Sequence, residues 1–503
     1  MSGRRRGTVQ PRRAGPPGAS NALGWSLLNT MASRFATLGI GIVLARVLGP
    51  SEFGTFAVAL VVLMAVLSFN ELGVSLAIVR WPGDPAVIAP TVNSISVLAS
   101  LVVYAAAYAA TPALANAMGD PGAVEVVRLL LLSVLVNGAV ATPAALLQRR
   151  FRERTRMAID QANVWIGAAV SVVLAIAGMG AMSLAVGRLA GSAVSGIMFV
   201  RSSPLPYRFG WDRSVVPALL RFGLPLAGTS IIVFAVGYAD QLIAGSLLGS
   251  TALGFYVLAF NLSSWPMSLL SQPLRRVAPA TFSHLQADKQ ALRRAVTMIF
   301  GLLAACTLPL FAFVSGAAAP LVRFIYGDAW FPAAAILSFL VFSALCKLLY
   351  EMVYDYLVVL GKSGTVFLVQ GASLVVMVPA LVAGARIGGL VGLAIAQAVV
   401  SWAVILPLYL VQLSRAGVGL RAVARRCATP AGVGLLVGGS SYWMSTEFSS
   451  PLATLAVGGA LVAIASASLL YVRRRDIFEL RGIGRPAEEH VSHPEAAGNE
   501  RPQ

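Results

Sequence analysis

Charge is scarce in this chain. Only 12% of its 503 residues are Asp, Glu, Lys or Arg, against about a quarter in a soluble globular protein. Histidine and cysteine are rarer still, at three each. Three histidines, with no H-E-x-x-H or paired C-x-x-C, leave no basis for a metal site, and no cofactor is expected. Cys306 and Cys346 lie in apolar runs and Cys427 lies beside Arg425 and Arg426, so none has a ligand spacing or an evident disulfide partner. "GKSG" (Gly361–Gly364) resembles the end of a phosphate-binding loop, but Tyr356 stands where the first glycine is required, so it reads as a turn. Long polar segments are missing too. The longest outer loop, around "GAAAPLVRFIYGDAWF", is too short for a glycosyltransferase domain. An enzyme is therefore not expected.

What the chain has instead is apolar length. Its residues are 57% hydrophobic, mostly Ala, Val and Leu with many Gly, a mix that lets membrane helices approach closely. Apolar runs of about 18 to 28 residues recur about fourteen times, each long enough to cross a bilayer. Among them are 22–46, 52–79, 252–280, 365–384, 387–412 and a short one at 430–445. The fold expected is an all-α polytopic membrane protein with about 14 transmembrane helices. It divides into a six-helix bundle over 21–214, a second over 215–412 and two further helices within 430–471. Polar tails over 1–20 and 476–503 read as disordered and cytoplasmic. The first apolar run is too long for a signal peptide's core and has no convincing cleavage site, so it reads as a membrane helix.

The net charge of +18 would suggest nucleic acid in a soluble protein, but its distribution points elsewhere. Most Lys and Arg fall in alternate loops, such as "QRRFRERTR" and "SRAGVGLRAVARR", while the other side holds few, among them Arg46, Arg323 and Arg386. This is the positive-inside pattern, with both termini in the cytoplasm and no nucleic-acid partner required.

An internal repeat is visible. "LGPSEFGTFAVA" begins at Leu48 and "LGSTALGFYVLA" at Leu248, an offset of 200 residues. Both follow helices that start on the same side, so the repeat is parallel, an arrangement known in secondary transporters.

A few polar residues sit where water should be absent. In a helix over 22–46, Arg34 lies about 18 Å from either end at 1.5 Å per residue. A guanidinium there stays charged and costs at least about 2.5–3.5 kcal/mol, so it faces either a carboxylate on another helix or a polar cavity that takes an anionic substrate. Asp240, in the repeat-mate helix, either neutralises Arg34 or holds a coupling cation. Lys347, Glu351 and Asp355 follow at intervals of four, along one helix face, with Tyr350 and Tyr354 beside them. They form either a paired structural stripe or the wall of a cavity. Arg188 and Asp160 read as interfacial anchors near helix ends.

Three segments in order, "ARVLGPSEFGTFAVALVVLMAVLSFNELGVSLAIVR", "ADQLIAGSLLGSTALGFYVLAF" and "PLVRFIYGDAWFPAA", resemble polysaccharide-transport flippases of the multidrug/oligosaccharidyl-lipid/polysaccharide exporter superfamily. The likeness runs from about residue 20 to 475. It implies a cytoplasmic-membrane flippase for a polyprenyl-pyrophosphate-linked oligosaccharide, working by alternating access. Its partners would be that lipid-linked oligosaccharide, membrane lipids, and the polysaccharide polymerase and glycosyltransferases of the same pathway. Ser33–Arg34 is similar in spacing to the first helix of the lipid II flippase branch, where an arginine contributes to a cationic substrate cavity. The other basic cavity residues of that branch have no counterpart. The alternatives are a cation-coupled drug exporter of the same superfamily, which predicts twelve helices and an acidic cavity, and a membrane glycosyltransferase or ligase.

Overall fold

A computed structural model describes residues 19–70, 73–266, 288–448 and 450–483, with side chains from residue 37 onward. All regular structure among the described residues is helical. In chain order the helices are α1 (Ala19–Asn70), α2 (Val74–Arg80), α3 (Pro85–Ala117), α4 (Val124–Arg149), α5 (Glu153–Ile176), α6 (Ala181–Ser202), α7 (Val216–Leu248) and α8 (residues 250–266). Then come α9 (Lys289–Gly316), α10 (Ala318–Tyr326), α11 (Pro332–Val359), α12 (Ser363–Val400), α13 (Leu406–Arg415), α14 (Leu420–Glu447), α15 (Pro451–Val472) and α16 (Arg474–Ile483).

Ten of the described stretches are long and apolar enough to cross a membrane. That number and the expected fourteen agree once the joints are read. Helix α1 bends at Gly49 and α12 at Gly388 and Gly389, so each supplies two crossings. Helix α8 enters the expected span 252–280, of which 267–280 lies outside the described residues. Helix α14 is long enough but begins with basic residues, ten positions before the expected start at 430.

Three expectations change in detail. The second span, expected unbroken over 52–79, stops at Asn70 and restarts at Val74 behind Gly73, whose φ of 63° only glycine tolerates at little cost. The outer loop is not irregular. It forms α10 and a 3-10 turn at Asp328–Trp330, with Val322, Tyr326 and Trp330 buried. Helix α16 covers the first part of the expected C-terminal tail.

The internal repeat is built into the backbone at four joints. Gly49 (φ 72°, ψ 177°) and Gly249 (φ 87°, ψ 174°) make the same turn. Gly119 and Gly327 both have positive φ, and each is followed by an Asp and a 3-10 turn. The α4–α5 and α11–α12 connections share one hydrogen-bond pattern, with Arg152 N–H to Leu147 O and Lys362 N–H to Leu357 O, both 3.0 Å. Gly180 (φ 55°, ψ −140°) and Gly389 (φ 56°, ψ −138°) match as well.

The chain divides into two compact units, residues 1–262, 318–340 and 374–400 in one, and 263–317, 341–373 and 401–503 in the other. In the first, the repeated glycine turns pack directly on each other. A Cβ on Gly54 would lie 2.3 Å from Ser250 O, and one on Gly254 would lie 2.8 Å from Pro50 O and 3.0 Å from Gly54 Cα. Trp330, 1% exposed, meets Phe53 and Phe255 edge-on and donates through Nε1 to Ala45 O at 3.0 Å. Arg46 donates to Phe324 O and Ile325 O, which ties the α10 segment to α1. Glu52 accepts from Ala181 N–H at 2.7 Å, a carboxylate on the first turn of α6. Arg149 donates to the carbonyls of Ile78, Trp81 and Gly83, satisfying the end of α2.

In the second unit, α9 and α14 meet along small residues. Gly434 and Gly438, one turn apart, lie over Leu308, Ala312 and Gly316, so the two backbones touch. Arg426 pairs with Asp476 and Arg473 donates to Arg426 O, which fastens α16 to α14.

Candidate functional site

Arg34 is on the first segment of α1; its side chain lies outside the described residues. The other sequence-derived candidates fall into two groups, one in each unit.

Asp240 is buried on α7, 6% exposed. Its Oδ1 accepts the Gln241 N–H at 2.8 Å, and its Oδ2 lies 2.8 Å from the hydroxyl of Tyr256 on α8. That hydroxyl also lies 2.5 Å from the side-chain oxygen of Gln397 on α12. One hydroxyl proton cannot serve two acceptors. The cluster is satisfied when the Gln397 amide turns to donate through Nε2, or when Asp240 carries a proton. Three helices thus close around one carboxylate.

On α11, Lys347 is exposed while Glu351 and Asp355 are half-buried. Spacing of four places all three along one face. Beside them Tyr350 stacks on Tyr409 of α13, with centroids 5.1 Å apart and planes 8° from parallel. The π-helical turn Ser401–Ile405 is tied to α11 by Cys346 Sγ–H to Ser401 O (3.1 Å) and Trp402 Nε1–H to Phe342 O (3.0 Å). This buried thiol is a packing group with a weak hydrogen bond. Among the described residues no cluster of His, Cys, Asp or Glu is large enough to hold a metal ion.

The structure also holds a cavity that the sequence reading missed. It has a volume of about 340 Å³ and lies in the first unit among α2, α3, α4, α5 and α7. Its polar lining is Ser75, Ser96, Asn137, Gln148, Arg156 and Ser230, with apolar walls from Leu76 and Leu226. Neutral donors and acceptors dominate, with one cation, so the lining suits a hydroxyl-rich group. The only signal in the sequence was polar residues at helical spacing in otherwise apolar runs, such as Ser96 with Ser100. The break at Gly73, which lines the cavity, was signalled only by Asn70 and Glu71 just before it.

Arg188, read from the sequence as an anchor near a helix end, is on α6. It lies seven residues into α6, about 10 Å from the helix start at 1.5 Å per residue. Its side chain is exposed.

Residues 43–335 match the family described as polysaccharide biosynthesis protein. The chain is 27% identical over 329 residues to the succinoglycan biosynthesis transport protein ExoT of Rhizobium meliloti, spanning 64% of this chain and 65% of that relative. It is 23% identical over 374 residues to the lipopolysaccharide biosynthesis protein WzxC of Escherichia coli, spanning 73% and 75%. Among solved structures, the lipid II flippase MurJ in an inward closed conformation superposes with a TM-score of 0.74 at 13% identity, covering 91% of this chain and all of that one. An inward-facing multidrug resistance MATE family transporter of the MOP superfamily gives 0.62 at 16% identity, covering 78% and 98%. These structural likenesses show the fold, one of about fourteen membrane helices. With more than half its length matched, this chain belongs to the polysaccharide biosynthesis protein family.

Proposed function

We propose that this protein is a flippase that moves a polyprenyl-pyrophosphate-linked oligosaccharide repeat unit across the cytoplasmic membrane for surface polysaccharide assembly. The observation that carries the reading is a polysaccharide biosynthesis family match laid over an all-helical exporter fold. The cavity lined by Ser, Asn and Gln supports it, since sugar hydroxyls need such partners. The sugar head enters a polar chamber from the cytoplasm while the prenyl tail stays in lipid. Arg34 meets the pyrophosphate through charge-assisted hydrogen bonds, where a planar fork matches phosphate oxygens. Six-helix halves alternate access, and both termini stay in the cytoplasm. An inside-negative potential favours outward movement of an anion by about 2.3 kcal/mol per charge per 100 mV. Asp240, Lys347, Glu351 and Asp355 join Arg34 as substrate-binding candidates, and the carboxylates among them are the candidates for cation coupling. The polymerase and glycosyltransferases of the same pathway supply and consume the substrate.

The test is reconstitution with a labelled lipid-linked oligosaccharide, scoring which leaflet holds it. Wild-type protein should equilibrate the label. Arg34→Ala should abolish movement and Arg34→Lys should keep a fraction. Unchanged flipping in both variants removes the role of Arg34. No flipping by wild type, together with raised drug tolerance on overexpression, turns the reading towards a drug exporter.

A further inference from the structure

We propose that α16 is a membrane-interface helix whose Arg474 and Arg475 bind the phosphate of an anionic glycerophospholipid, in the leaflet where α15 ends. The site lies apart from the residues assigned to the substrate.

Chain connectivity sets the depth of the two arginines. Helix α15 has 22 residues and spans about 33 Å at 1.5 Å per residue, enough to cross the hydrocarbon core. Arg473 follows it directly and α16 begins at Arg474, so both guanidinium groups emerge at headgroup depth. On the proposed orientation, with both termini in the cytoplasm, this is the inner leaflet.

Packing then fixes which face of α16 is outward. Arg473 donates to Arg426 O, Arg426 pairs with Asp476, and a Cβ on Gly301 would lie 1.9 Å from Arg473 Nη1. These contacts seat the Arg473 and Asp476 side of α16 against α14 and α9. The other side carries Arg474, Arg475 and Phe478, all exposed. At about 100° per residue, Phe478 falls between the two arginines. Tyr471 and Val472, which end α15, are 68% and 79% exposed. The Arg474 guanidinium lies over the Tyr471 ring, 4.2 Å from its centroid, which holds the cation at the rim of the apolar helix. Aromatic rings at the boundary, with arginines reaching past them, suit a bilayer interface.

Charge complementarity selects the occupant. Among the described residues no carboxylate pairs with Arg474 or Arg475. Arg421 and Arg425, at the same end of α14, are exposed too, and Glu479 is the only exposed carboxylate on that end of α14 and on α16 among the described residues. A phosphodiester offers two free oxygens to a guanidinium fork. A soluble phosphate would leave Phe478 and Val472 in water, whereas a phospholipid brings acyl chains to cover them.

Binding to the full-length protein, delipidated in neutral detergent, tests this with fluorescent phosphatidylglycerol as probe. Wild type should bind it and, at the same concentration, hold little phosphatidylcholine. Each arginine near an anionic lipid surface is worth about fivefold, so Arg474→Gln with Arg475→Gln should weaken binding about 25-fold. Arg475→Gln alone, on the outward face, should weaken it about fivefold and keep the melting temperature, which guards against a folding defect in the pair. Arg150→Gln with Arg152→Gln removes an exposed basic pair of the first unit and should change nothing. An equal loss there would make binding a general effect of surface charge and overturn the site. Equal retention of phosphatidylcholine overturns the anionic assignment. Displacement by glycerol 3-phosphate at similar concentration overturns the lipid one. Wild-type affinity in the glutamine variants of α16 overturns the proposal whole.

Discussion

The helix that begins behind Gly180 carries Arg188 eight residues on, and the helix that begins behind Gly389 carries Gln397 at the same place. The backbones at the two joints agree within a few degrees, yet the polar groups they deliver differ. In the second half Gln397, Tyr256 and Asp240 close on one another as a buried network. In the first half Phe56 stands at the position of Tyr256 and Ile40 at that of Asp240, so the polar trio is not repeated there. The same contrast recurs at the 3-10 turns, where Gly122 in the first half corresponds to Trp330 in the second. The repeat keeps the joints, which backbone sterics define, and lets the side chains on them differ.

Substitutions can break or sharpen this comparison. The largest stability effect is expected at Trp330, whose ring contacts both copies of the repeat. Trp330→Ala should cost about 3–5 kcal/mol, the usual result of emptying an aromatic core site. Thermal unfolding in detergent measures it, and a loss below a few degrees would mean that the clasp is not structural. Next come Gly54→Ala and Gly254→Ala. Each adds a methyl to the same backbone contact, so the two should destabilise by similar amounts, about 1–3 kcal/mol. Sharply different costs would show that the copies are not mechanically equivalent. The smallest is Tyr256→Phe. It removes one donor from buried Asp240 and should cost about 1–2 kcal/mol. No change in melting temperature would show that Asp240 is satisfied without the second-half network.

Much of the fold was legible in the sequence because membrane crossing is a matter of length and apolarity. The runs around α3 to α7 needed no tertiary information, and "LGPSEFG" with "LGSTALG" announced a turn that only glycine makes easily. The site was less legible. Tyr256 and Gln397, which meet beside Asp240, were not singled out, since distance along a helix is readable while rotation about its axis is not. The α10 segment looked like a loop because nine residues are too few for a periodic signal to outweigh Gly and Asp nearby. The other three joints of the repeat were hidden by drifting offsets, 208 to 210 residues against 200 for the first.

Hydropathy, loop charge and glycine placement were enough to settle that this chain is a duplicated, many-helix membrane protein, because each acts within one helix or turn. Which polar groups share a cavity, and which close on one another, came only from packing. A side chain's surroundings belong to the neighbouring helices, which can lie as far along the chain as Gln397 does from Tyr256.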